Sequence, residues 1–477
     1  MFTMSDIHEE CGVFGIYSKQ KQSDVATETY LALYALQHRG QQSCGIAVND
    51  DGVIRSYRDM GLVPDIFNQR TLAELGLGNI AIGHVEYSKY ANGNRSDAQP
   101  LVVRHIKGTM ALANNGSLVN AQQLREELEL GGAIFHSSTD AEIISHLIIR
   151  ERLNCGSIEE AVDKAMSHLS GAYSMVIMSP QKLIAVRDPE GFRPLCIGQL
   201  GEDIVIASES CAFDSIGATF IRDVKPGEII VVDSNGLRSI ESHCGGKGHF
   251  CVFEFVYTAR PDSVIEGASV HEARRRAGAF LALEHPCQAD VVIGVPDSGL
   301  DAALGFAQQS GIPYGIGFIK NRYVGRTFIL PTQKQRENAV RIKLNVLKAT
   351  VAGKRVVLVD DSIVRGTTSQ RIISMLRDAG ATEVHIRISS PPFINPCYFG
   401  TDIDSKDKLI ACRMTLEEIR KDLNADSLGY LSLDSVKKIA NVQSGCGFCT
   451  ACFDGNYPVE IPEQICDKFN YHINEKR

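Results

Sequence analysis

From Cys11 to about Ser234 short apolar, β-rich runs alternate with polar turn residues, with helical stretches between them. Val13, Phe14, Gly15, Ile16 and Tyr17 read as the first strand. The β-rich segments "GNIAIGHVEYS" (78–88), "GTMALANNGSL" (108–118), "GAYSMVIMS" (171–179), "KLIAVRD" (182–188) and "DIVIASES" (203–210) follow. Between them "DAEIISHLIIRERL" (140–153) has helical spacing, and "DSNGLRS" (233–239) reads as a hairpin turn. Parallel-sheet signals are few here, so this half predicts layered α+β. From about Ser269 the rhythm changes to strand, helix, strand. "ADVVIGVPDSG" (289–299) is a buried strand entering a loop, and "KRVVLVDDSIVRGTTS" (354–369) repeats the plan. The helix "QRIISMLRDAG" and the strand "EVHIRISS" come next, which predicts βα units on a parallel sheet.

Composition narrows the classes. A chain of 477 residues exceeds one core and predicts two or more domains. Its hydrophobic fraction of 44% excludes global disorder. With 49 basic and 57 acidic residues the net charge is −8, which argues against a nucleic-acid surface. Runs of about 18 apolar residues are absent, so no membrane span is expected. The first ten residues are acidic and do not read as a secretion signal. Fourteen cysteines without such a signal point to a reducing compartment and to metal-binding or catalytic thiols.

Three stretches carry chemistry. In "VVLVDDSIVRGTTS", Asp360 and Asp361 stand at the carboxyl end of a strand, where open α/β sheets bind ligands. Gly366, Thr367, Thr368 and Ser369 open the next helix, whose amides, hydroxyls and dipole suit a phosphate. The adjacent acids suit ribose hydroxyls. Cys446, Cys449 and Cys452 form a CxxCxxC set with too few ligands nearby to close a four-thiolate site. Cys11 lies just before the first strand. Taken alone it reads more simply as a buried thiol than as a nucleophile uncovered by removal of a pro-segment.

The phosphate loop resembles the signature of type I phosphoribosyltransferases, which use 5-phosphoribosyl-1-pyrophosphate (PRPP). "CGVFGI", "LQHRGQQSCGI" (36–46), "GHVEYS", "NNGSLVNA" (114–121), "RDPEGFRPL" (187–195), "ASESCAFDSIGA" (207–218) and "VKPGEI" (224–229) follow the order of glutamine PRPP amidotransferases across nearly the whole chain. That resemblance implies a four-layer α+β N-terminal-nucleophile (Ntn) hydrolase sandwich followed by an α/β type I phosphoribosyltransferase domain. The expected boundaries are a pro-segment 1–10, a class II glutamine amidotransferase domain 11–240, an interdomain segment 241–268, a transferase domain with a C-terminal cluster-binding segment 269–465, and a tail 466–477. Removal of the pro-segment would make Cys11 the first residue, and its α-amine, titrating at about 7.7–8.0, would serve the thiol as base.

The same resemblance implies the site residues. Asn115 and Gly116 would form the oxyanion hole, and Asp140 would hold the α-ammonium of glutamine. Asp297, Ser298, Gly299, Asp360, Asp361, Ser362, Arg365, Gly366, Thr367 and Thr368 would bind PRPP, with Ser298, Asp360 and Asp361 at Mg²⁺ or its waters. The basic segment "IKNRYVGRTFILPTQKQR" (319–336) would close over PRPP and exclude water. Cys251, Cys397, Cys449 and Cys452 would hold a [4Fe–4S] cluster, with zinc the rival metal and Cys446 a spare. Partners implied are PRPP, glutamine, inhibitory purine nucleotides and further copies of the chain in a tetramer, in the cytoplasm.

Some positions depart from the family. Where the family reads "GHVRYST", with the Arg clamping the α-carboxylate of glutamine, this chain has Glu86, and Lys89 follows as a possible substitute cation. "HNGN" becomes Asn114, Asn115, Gly116, Ser117; "HRGQES" carries Gln42, and Cys44 follows its Ser. A carboxylate at Glu86 is expected to repel the substrate carboxylate. The reading adopted is a bifunctional enzyme of purine biosynthesis: glutamine hydrolysis at Cys11 supplies ammonia that displaces pyrophosphate from PRPP, giving 5-phosphoribosylamine. An ammonia-dependent or altered-amide paralogue and a PRPP-sensing regulator are the alternatives.

Overall fold

The computed structural model describes residues 11–87, 94–321, 344–401, 403, 405–442 and 445–462. The expected pro-segment, Lys89, Cys466, the tail from 466 and the basic segment from 322 lie outside the described residues.

Two antiparallel sheets face each other in the first half. The seven-stranded sheet runs, edge to edge, Thr219–Asp223, Cys196–Leu200, Asp203–Ala207, Gly12–Tyr17, Ile80–Glu86, Ser43–Asp50, Val53–Met60. The six-stranded sheet runs Gly236–Ile240, Ile229–Asp233, Leu183–Arg187, Ser174–Met178, Gly108–Asn115, Leu101–His105. Alternation sorts the side chains into layers. Val13, Tyr17, Ile80, Ile82, Ala111, Ala113, Val176 and Ala185 fill the space between the sheets. Phe14, Ile16, Ala81 and Val85 pack outward on the helix Val25–Ala35 and its neighbours. Met110, Leu112, Met175 and Ile184 pack outward on the helices Ala121–Leu130, Asp140–Arg152 and Ile158–Met166. Helix, sheet, sheet, helix is the expected four-layer sandwich.

A wide helical turn, Glu254–Thr258, leads into the second half; its Ala259 N–H reaches back to the Glu254 carbonyl at 3.0 Å. Beyond it lies a four-stranded sheet, Val291–Gly294, Arg355–Asp360, Glu383–Ile388, Ser427–Tyr430, with every pairing parallel. Helices Val270–Glu284, Gly299–Ser310 and Thr367–Asp378 cover it. The antiparallel pair Phe318–Lys320 and Leu344–Val346 forms the base from which the basic segment departs. Among the described residues no helix is long and apolar enough to cross a membrane.

Candidate functional site

Strand register gathers the first constellation. Gly12 pairs with Val85, so one step further sets Cys11 across from Glu86. Residues 13 and 17 face the gap between the sheets, as do 80 and 82, and 111 and 113. By the same alternation Cys11, His84, Glu86 and Asn115 turn into that gap at one end. His84 spans it, its Nε2 lying 3.0 Å from the Asn114 carbonyl. Burial pushes His84 down to about 4, so it is neutral there. The Nδ2 of Asn115 is a buried donor without a partner. Gly116 follows with φ +134°, and a Cβ there would lie 2.3 Å from the Ala172 carbonyl oxygen, so only glycine fits. Asp140 opens its helix and braces this turn, its Oδ2 accepting the Leu118 amide at 2.8 Å and the Ser117 hydroxyl at 3.4 Å. Ser117, one of the departures, is thus an anchor for Asp140.

Glu86 is buried at the end of its strand. The Ser43 hydroxyl, directly opposite in register, donates to its Oε2 at 2.8 Å. Burial pushes the Glu86 carboxyl up to about 7, with nearby Asp97 adding and the Ser43 hydroxyl and Arg58 opposing. Asp97 is pinned by the Ser138 amide at 3.0 Å. Arg58, two strands away, donates to the Ala98 carbonyl. Among the described residues the cation acting on Glu86 is Arg58, which carried no signal in the sequence because it lies in a mostly exposed strand, Val53–Met60.

The second constellation surrounds the strand end at Asp360. The Ser298 and Ser362 hydroxyls both donate to the Asp361 carboxylate. The Asp361 amide donates to Asp360 Oδ1 at 2.9 Å. Burial raises the Asp361 carboxyl, while Ser298, Ser362 and Arg274 pull it back. Gly299 allows the close approach: a Cβ would lie 2.6 Å from the Val359 carbonyl oxygen. Gly366 caps the helix Thr367–Asp378, so the amides of that first turn face the same end of the sheet. Asp297 stands exposed at the loop tip, paired with Lys320. Arg365 lies in the intervening 361–366 loop.

The third set is the cysteines. Cys251 and Cys449 are partners in a short parallel pairing of His249–Cys251 with Gly447–Cys449, which no local spacing announces. Burial raises the Cys452 thiol, and Cys397, Cys251 and Cys449 raise it further, so the four sulfurs occupy one neighbourhood. A donor set of four neighbouring thiols fits a thiolate-bound metal group. Among the described residues no three His, Cys, Asp or Glu are already spaced to hold an ion, so the thiols are gathered but not arranged. Cys446 packs against Gly248. Cys155, Cys196 and Cys211 are core residues, and Cys412 is exposed.

A sandwich with Cys11 heading its first strand, joined to a parallel sheet with a phosphate loop, defines a class II glutamine amidotransferase fused to a phosphoribosyltransferase. Family models agree: a glutamine amidotransferase domain matches 88–215 and a phosphoribosyl transferase domain matches 271–389. The chain is 50% identical over 466 residues to an amidophosphoribosyltransferase of Methanocaldococcus jannaschii, covering 94% of this chain and 98% of that one. It is 46% identical over 459 residues to the Bacillus subtilis amidophosphoribosyltransferase, covering 95% of each. A solved structure of the allosteric regulatory enzyme of purine biosynthesis superposes with a TM-score of 0.90 at 46% identity, covering 95% and 97% of the two chains. The Bacillus subtilis glutamine PRPP amidotransferase complexed with ADP and GMP superposes with 0.88, covering 95% and 98%. The chain belongs to the amidophosphoribosyltransferase family. It is a glutamine-dependent pentosyltransferase that makes 5-phosphoribosylamine in purine biosynthesis.

Proposed function

We propose that Cys11, exposed as the first residue by cleavage after Glu10, attacks the glutamine carboxamide, its own α-amine taking the thiol proton and returning it to the departing ammonia. Asn115 Nδ2 and the Gly116 amide hold the oxyanion of the tetrahedral centre. Asp140 receives the α-ammonium. Ammonia then displaces pyrophosphate from C1 of PRPP, whose ribose hydroxyls meet Asp360 and Asp361 while Gly366, Thr367 and Thr368 take the 5-phosphate. Asp297, Ser298 and Gly299 receive the pyrophosphate, with Ser362 and Arg365 completing the loop. Mg²⁺, when bound near Ser298, Asp360 and Asp361, neutralises charge on the leaving pyrophosphate. The observation that carries the reading is the buried, unpartnered amide of Asn115 on the face shared with Cys11. Asn115→Ala is expected to lower glutamine-dependent turnover by about 10²–10³-fold and leave ammonia-dependent synthesis unchanged. An equal fall in both rates in parallel assays would reject the oxyanion role.

Glu86 modifies this reading. Its carboxyl, at about 7 for its burial, is largely neutral at pH 6 and charged at pH 8. The KM for glutamine is therefore expected to climb several-fold between those values, with the ammonia arm unaffected. Glu86→Gln, which retains an acceptor for Ser43, should flatten the profile; Glu86→Arg would set a second cation beside Arg58. The raised value also means that stability falls as pH rises from the usual carboxylate range through 7, because the unfolded carboxyl gives up its proton first. A glutamine KM flat in pH in the unaltered enzyme would show that Glu86 does not face the substrate.

We assign Cys251, Cys397, Cys449 and Cys452 to a [4Fe–4S] cluster that would cross-link the interdomain segment, the transferase domain and the C-terminal segment. Anaerobic iron and sulfide analysis should give one cluster per chain, lost in Cys449→Ser and retained in Cys446→Ser. The reverse pattern would move the ligand set to Cys446. Purine nucleotides as inhibitors, in line with the ADP and GMP bound to the Bacillus subtilis enzyme, a homotetrameric assembly and a cytoplasmic location complete the proposal.

A further inference from the structure

One buried charge network leaves the glutaminase nucleophile and ends in the transferase domain. Arg39 donates through Nε to the Cys11 carbonyl at 3.0 Å. The rest of its guanidinium holds Glu254, Nη1 to Oε2 at 2.9 Å and Nη2 to Oε1 at 2.8 Å, and Glu209 at 2.5 Å. Arg193 reaches the same Glu254 Oε1 at 3.3 Å. Its other nitrogens donate to the Phe399 carbonyl at 2.7 and 3.1 Å and to the Thr401 hydroxyl at 3.3 Å. The side chains of Arg39, Glu209, Glu254 and Arg193 are all 0% exposed. Burial works to raise the Glu209 carboxyl, yet His38 and Arg39 together hold it below the usual carboxylate range.

Glu254 is the junction. It opens the wide turn Glu254–Thr258, a rare helical geometry that concentrates at functional positions. The far side of that turn is pinned by Arg274, whose guanidinium takes the carbonyls of Phe255, Tyr257 and Ala259 at 2.9, 2.8 and 2.7 Å. Arg274 also acts electrostatically on Asp361. The segment joining the domains is thus held at Glu254 by Arg39 and Arg193 and along its turn by Arg274 of the following helix. A buried polar network whose members each satisfy several partners specifies one arrangement of the groups it holds.

We infer that Glu254 is a positioning residue for glutamine hydrolysis: shared by Arg39 and Arg193, it fixes the backbone of Cys11 according to how the 399–401 turn of the transferase domain is seated. The inference rests on Cys11 as nucleophile. Without the Glu254 charge, Arg39 loses its two-pronged carboxylate partner and its hold on the Cys11 carbonyl shifts, so the thiol leaves its attacking position while the PRPP site is intact.

The test uses the full chain and reads glutamine- and ammonia-dependent rates side by side. Glu254→Gln keeps the shape and removes the charge. It is expected to lower glutaminase kcat at least tenfold, with the KM for glutamine within threefold and the ammonia-dependent kcat within twofold. Arg193→Lys, which keeps a cation but loses the fork, should move the same ratio in the same direction by a smaller factor. Unchanged glutaminase, or parallel loss of both activities, would overturn the inference. If Glu254→Gln does not fold, Arg193→Lys decides by the same criteria. Cys11→Ala in the same assay separates the premises: glutaminase surviving it would remove the nucleophile assignment, whereas an inactive Cys11→Ala beside a parallel loss in Glu254→Gln removes only the positioning role.

Discussion

Cys11→Ala is expected to abolish glutamine hydrolysis, a loss of at least about 10⁴-fold, because removal of a covalent nucleophile leaves only binding and oxyanion contacts. Ammonia-dependent synthesis should persist, since the transferase site lies in a separate domain with its own sheet. The companion measurement is intact mass. The active chain should begin at Cys11, because an internal cysteine has an amide where the mechanism needs an amine. Gly12 pairs with Val85, so Cys11 stands at the start of the described strand. A fully glutamine-active enzyme that retains Glu10 would sink the amine-as-base assignment.

Asp360→Asn combined with Asp361→Asn should lower synthesis from either nitrogen source by at least about 10³-fold, the scale of losing preorganised electrostatic contacts to a reacting group. Basal glutaminase should survive. The reason lies in the position of the two acids. Asp360 ends a strand buried between two parallel neighbours, and Asp361 is oriented by hydroxyls from two different loops, Ser298 and Ser362. An amide at 361 could still accept one hydroxyl, so the fold should tolerate the change while the negative charge proposed to meet ribose and cation is lost. PRPP affinity measured by equilibrium binding is the check. Ordinary affinity in the double variant would show that the acid pair is structural.

Much of the fold was legible because its signals are local. The β-rich runs in 108–118 and 203–210 marked real strands, Gly108–Asn115 and Asp203–Ala207, since a strand buried on both faces inside a sandwich reads as a continuous apolar run. The helix read over 140–153 is found at Asp140–Arg152. The loop proposed to take the phosphate was legible as strand end, acid pair, glycine and helix start, because these are contiguous in the chain and are found at Arg355–Asp360 and Thr367–Asp378. Cys446, Cys449 and Cys452 were visible as a CxxCxxC set, whereas Cys251 and Cys397 joined it only through the family resemblance.

Long-range placement came from the tertiary structure alone. Cys251 meets Cys449 because two three-residue strands, far apart in the chain, pair in parallel. Arg58 comes near Glu86 because Ser43–Asp50 is inserted between their strands, a register that alternation does not encode. Arg39 reaches Glu254 across 215 positions, and Arg193 reaches Phe399 across 206. Hydrophobic periodicity reports which face of an element is buried. It does not report which buried polar groups will find one another, because that depends on how whole sheets and domains dock. The motifs proposed to carry the chemistry were therefore written locally in the chain, while the charge environment of Glu86 and the link between the two halves were decided by packing.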